Sequence, residues 1–128
     1  HKCDLSGSCF DGSVGKGCAF SETILHRSSF EEASFTLSNF FGAHATRANF
    51  RSAVLALSRL DKAVLSECSF EHASLRSASL LRATLDKVDF SGAILFESDL
   101  SETTGKGCIW HKSRQTRVCF ERSTVNKP

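Results

Sequence analysis

Methionine and tyrosine are absent, and the one proline is the last residue, Pro128. Without an initiator methionine, the chain is expected to be a piece cut from a longer one. No apolar run approaches the ~18 residues a bilayer span requires, which excludes a membrane-spanning helix. An excess of one charge is missing too. Sixteen Lys and Arg stand against fourteen Asp and Glu, net +2, and neither sign gathers into a tail. So even a balance supplies no strong field for nucleic acid or an acidic membrane, and neither is expected as a partner. What remains is 128 residues with 41% hydrophobic and 23% charged side chains. That is the composition of a single soluble domain, long enough to bury a core without disulfides or metals.

What the chain has in abundance is order. When pentads are centred on multiples of five, the central position i carries a large apolar residue in twenty-one of twenty-five cases; Gly15, Ala45, Gly105 and Gln115 are the exceptions. Position i−2 is Cys, Ser, Thr, Ala or Val in all twenty-five, although these types make up only 52 of the 128 residues. No charged residue occupies either position, so both face away from water while the other three meet it. A period of five fits neither the 3.6 of a helix nor the 2.0 of a strand, so the chain must turn a corner every five residues.

Runs such as Cys3-Asp4-Leu5-Ser6-Gly7, Ala48-Asn49-Phe50-Arg51-Ser52 and Val88-Asp89-Phe90-Ser91-Gly92 resemble the pentapeptide-repeat family, and the resemblance is unbroken over residues 1–125. It implies an all-β fold, a right-handed quadrilateral β-helix in which four pentads make one coil and i and i−2 point inward. About six coils would form one domain over 1–125, with 126–128 as a tail. The sequence supports a twenty-residue coil independently: spacing by twenty collects Phe10, Phe30, Phe50, Phe70, Phe90 and Trp110 in one column. We call the four walls by their columns: the first (Leu5, Leu25 and onward), the aromatic (Phe10), the third (Gly15, Phe35, Leu55) and the fourth (Phe20, Phe40). Regularity is expected to fray at both ends, where Gly-Lys-Gly-Cys recurs at 15–18 and 105–108. The small Ala45 leaves a gap for Phe40 or Phe50 to fill.

Chemistry-bearing patterns are sparse. Cys3, Cys18, Cys68 and Cys108 hold i−2, where a thiol serves as a small apolar group. Cys68 and Cys108 share a column but lie two coils apart, roughly 10 Å at strand spacing and beyond disulfide reach. Cys9 and Cys119 point outward on different walls. Six reduced thiols are therefore expected, with a cytoplasmic or other reducing compartment, or a secreted bacterial effector or secretion-associated protein as the parent. The glycine-rich segments lack the spacing and following helix of a phosphate loop. His26 and His44 share a wall without enough companions for zinc, and read as solvated surface residues. No serine has a base held beside it. No catalytic residue, cofactor or metal is expected, and the chain is not expected to be an enzyme.

Function is then left to the surface. The aromatic wall carries Asp11, Glu31, Glu32, Glu71 and Asp89 against Arg51 and Lys112, net −3; the third carries Lys16, Arg76, Arg114 and Arg117 against Glu97, net +3. The third wall also turns Leu37, Val54, Leu57, Ile94 and Phe96 outward beside Arg76, apolar residues the fold does not require. It is the first candidate interaction surface; the acidic Glu31, Glu32 and Glu71 form the second. The expected function is a non-enzymatic interaction or scaffold module that meets a protein partner, a sister domain or a second copy. The family resemblance offers an alternative, a DNA mimic that binds a type II topoisomerase (DNA gyrase) and protects it from quinolones. That role calls for a strongly acidic surface, which this chain lacks.

Overall fold

The computed structural model describes residues 2–128. Twenty β-bridges, all parallel, join residues twenty apart, from Asp4↔Ile24 to Asp99↔Cys119. Every bridge falls on an i−1 position. The twenty-residue coil is thus the unit of hydrogen bonding as well as of sequence.

An accounting of one pentad's amides explains why the chain turns every five residues. The i−1 amide reaches back to the preceding coil, as Ile24 N–H to Cys3 C=O at 2.9 Å. The i and i+2 amides reach forward, as Leu5 to Ile24 at 2.7 Å and Gly7 to His26 at 2.9 Å. The next i−2 amide closes the corner, as Ser8 to Leu5 at 3.1 Å. These corners have the bond and the left-handed third residue of a type II turn. Every i+2 residue from 7 to 122 takes φ between 54° and 79°, although eighteen of them are not glycine. Each such residue costs ~1–2 kcal/mol, and only the ladder on both sides holds it there.

That leaves the i+1 amide, which in several pentads finds a side-chain partner. Asp4, Asn39, Asn49, Asp89 and Asp99, all at i−1, accept it from two residues on at 2.9–3.0 Å. These are Asx turns, which is why short carboxylates and amides suit a position that otherwise only points outward.

Inside, the aromatic column is stacked throughout. Ring centroids are 4.8 Å apart for Phe10–Phe30, 4.9 Å for Phe30–Phe50 and Phe50–Phe70, 5.6 Å for Phe70–Phe90 and 4.7 Å for Phe90–Trp110. A shorter stack, Phe20 on Phe40 at 4.9 Å, meets it edge to face. Phe40 and Phe50 come within 6.0 Å of each other at the corner that Ala45 leaves open, and Ala45 is fully buried. Buried hydroxyls at i−2 are paired: Ser28 with Leu25 C=O at 2.6 Å, Ser58 with Phe35 C=O at 3.0 Å, Ser98 with Leu95 C=O at 2.7 Å.

The two glycines at i have different causes. A Cβ on Gly15 would meet Cys18 Sγ at 2.6 Å and the Phe35 ring at 2.8 Å, so Gly15 makes room for a neighbour's bulk. A Cβ on Gly105 would meet the Leu85 carbonyl carbon at 2.6 Å, so there the backbones themselves approach. The expected fraying is corrected accordingly. The 15–18 stretch keeps its turn and bridge register, although the Cys18 amide bonds Ser38 Oγ at 3.1 Å, whereas the turn itself is lost at Gly105–Cys108 and the ladder beyond Thr124. Asn126 closes that end: its side chain bonds both the N–H and the C=O of Cys108 at 2.9 Å, and its carbonyl accepts the Trp110 indole N–H at 2.7 Å.

Candidate interaction wall

Five large apolar side chains are exposed: Val14 (85%), Leu37 (49%), Val54 (38%), Leu57 (54%) and Ile109 (50%). All but Ile109 stand on the third wall. Leu37 and Leu57 are successive i+2 residues at φ 63° and 61°, so their side chains leave the same corner one ladder spacing apart. Val54 lies between the bridges to Ser34 and Ser74. The structure separates the other expected members from this group. Ile94 and Phe96 are only half exposed, and the Arg76 guanidinium lies over the Phe96 ring at 5.1 Å. Arg76, Phe96, Glu97, Thr116 and Arg117 line a concavity of ≈ 240 Å³, in which Arg117 pairs with Glu97 at 3.5 Å. The wall is therefore apolar toward its early coils and basic toward its late ones. Val14 escaped the sequence reading because it stands forty residues before Val54, beside a glycine.

The acidic group also divides. Glu71 pairs with Arg51 at 3.5 Å, which spends its charge locally. Glu31 accepts from Asn49 Nδ2 at 3.1 Å, and Glu31 and Glu32 border a concavity with Asp11 and Gly12. The Ser29 hydroxyl and the Glu31 amide hold the Asp11 carboxyl below its ordinary range.

Two further expectations are corrected. Cys3 is exposed and Cys18 half-buried because the first coil's inward positions lie at the open end of the stack; only Cys68 and Cys108 are sealed. All six thiols are free. His26 and His44 are half-buried rather than solvated, with ring centroids 6.5 Å apart. Among the described residues, no three His, Cys, Asp or Glu side chains gather as metal ligands, and no helix is long and apolar enough to cross a membrane.

A ladder closed on itself every twenty residues, around a filled interior, defines a β-helical solenoid whose variable chemistry lies on its walls. The chain belongs to the pentapeptide repeat family: the profile described as "Pentapeptide repeats (8 copies)" matches residues 1–36, 33–71 and 63–102. The fold is accordingly a right-handed β-helix. Among solved structures, a trypsin-treated variant of QnrB1, a plasmid-mediated fluoroquinolone resistance protein, shares 15% identity at TM-score 0.56, with 99% of this chain and 92% of that one covered. The pentapeptide repeat protein Rfr23 of the cyanobacterium Cyanothece 51142 shares 17% at TM-score 0.47, covering 96% and 91%. One from the Arabidopsis thaliana thylakoid lumen shares 27% at TM-score 0.39, covering 78% and 66%. The likeness to QnrB1 is one of fold. No curated protein sequence gives a significant match.

Proposed function

We propose that this chain is a non-enzymatic scaffold, a four-sided helix of about six coils whose third wall binds a protein partner. One observation carries the reading: four of the five exposed large apolar residues stand on one wall of four. Two of them, Leu37 and Leu57, occupy left-handed positions where glycine would be less strained, so folding gains little from a leucine there.

The same wall carries net +3, so a face-to-face pairing of two copies sets like charges against each other. A partner with an apolar centre and an acidic rim is the better complement. A duplex-DNA mimic fits less well, because net charge is +2 and the most acidic wall has Glu71 already paired. The test replaces Leu37 and Leu57 by Ser. Stability in urea is expected to change by less than ~0.5 kcal/mol per site, as for exposed residues generally. Association with the partner, followed by light scattering or pull-down from the native host, should be lost. Intact association would move the interface to another wall, with the acidic Asp11–Glu31–Glu32 group the next to be tested.

A further inference from the structure

On the first wall, His26, Arg27, Thr46, Arg47 and Glu67 line a concavity of ≈ 370 Å³. The ladder assembles it: the Arg27 amide bonds the Thr46 carbonyl at 3.0 Å, and Arg27 and Arg47 are successive i+2 residues at φ 57° and 61°. Their side chains therefore leave the same corner one ladder spacing apart, ~4.8 Å. Internal compensation is incomplete. Arg47 has one carboxylate partner, Glu67, with Nε 3.6 Å from Oε2. Arg27 has no carboxylate within 4.0 Å among the described residues. Beside them, His26 Nδ1 is buried with no hydrogen-bond partner. Its lining carries Arg27 and Arg47 against Glu67, +1 before any histidine is counted. The local field is felt by His44, whose pKa is held below its ordinary value by burial first and then by the positive charge of Lys2 and His26.

We propose that this concavity binds a phosphate group, gripped between the guanidinium forks of Arg27 and Arg47, with the Thr46 hydroxyl and the His26 imidazole as further donors. Two forks at ladder spacing call for more oxygens than a carboxylate has. Glu67 already supplies a carboxylate to one fork and leaves the other unserved. A tetrahedral dianion presents oxygens to both. The site is on a different wall from the apolar group and does not depend on its having a partner.

The experiment titrates sodium phosphate into the protein at pH 7.5 and constant ionic strength and follows the imidazole signals by NMR. Saturable shifts are expected at His26 and His44 and not at His72 or His111 on the aromatic wall. The His44 titration midpoint should move upward as the anion offsets the surrounding positive charge. Arg27→Gln and Arg47→Gln should each weaken binding about ten-fold, the size of one lost charge-assisted hydrogen bond. Arg76→Gln on the third wall should change nothing. Glu67→Gln, which frees Arg47, should tighten binding, and a gain of affinity cannot come from misfolding. Acetate that binds as well as phosphate would overturn the ligand class. Shifts that chloride reproduces, or that survive the Arg27→Gln, Arg47→Gln double variant, would overturn the site.

Discussion

Cys68 and Cys108 occupy equivalent inward places two coils apart, and each thiol donates to a main-chain carbonyl, of Ala45 at 2.7 Å and Leu85 at 2.8 Å. Burial pushes the Cys68 thiol up to about 12 and the Cys108 thiol up to about 11, from an ordinary 9.0. Since the thiolate is the nucleophile, raising the pKa withholds it, and at pH 8 neither residue carries appreciable thiolate while the fold is intact. Cys3, Cys9 and Cys119 are exposed and have no such protection. A thiol reagent at pH 8 should modify those three quickly, Cys18 more slowly, and Cys68 and Cys108 only after unfolding. The total in denaturant without reductant should be six. A count of four would mean a disulfide and a different register. The same inward position thus accepts Ala, Ser or Cys, provided that any hydrogen it carries can reach a carbonyl.

The corner is the element on which the whole chain depends, and its two glycine classes make separable predictions. At Gly12 the backbone is left-handed, φ 67°, and a Cβ would meet nothing within 4 Å. At Gly105 φ is 141°, and a Cβ would come within 2.6–2.9 Å of the Leu85–Asp86 main chain. Gly12→Ala should therefore cost only the ~1 kcal/mol of a side chain in the left-handed region. Gly105→Ala should cost more than ~2 kcal/mol, because two backbones have to separate. Urea midpoints for the two variants provide the check, and equal losses would show that strain in φ, rather than contact, governs both. The eighteen non-glycine residues already tolerated at this corner make the Gly12 value the better measure of what each of them costs the fold.

Across the whole molecule, the aromatic column distributes stability along the axis. Phe50 is fully buried between Phe30 and Phe70, whereas Phe41 is half-buried outside, with Arg59 over its ring at 4.4 Å. Phe50→Ala should cost ~3–5 kcal/mol, and Phe41→Ala, which loses some area and a cation–π contact, closer to ~1 kcal/mol. Equal destabilisation in urea would contradict the inward assignment of Phe50. The register of that column was legible in the sequence because burial recurs at a fixed spacing and excludes charge. Three things were not. The left-handed i+2 corners carry no glycine signal at eighteen positions. The Asx turns at Asp4, Asn39, Asn49, Asp89 and Asp99 become meaningful only when one amide per pentad is found to be left over. The sheltering of Phe96 under Arg76, like the exposure of Val14, depends on which long side chain folds over which neighbour, and periodicity does not contain that. Of the candidate wall, the face was legible and its division into apolar and basic halves was not. The chain's single Trp, in the absence of any Tyr, terminates the column: Trp110 is stacked on Phe90 and its indole N–H is held by Asn126. It is therefore the chain's one indole fluorophore, placed in the last coil. Its emission reports on the last coil alone, so loosening there registers as a red shift while the far-ultraviolet signal of the ladder is unchanged.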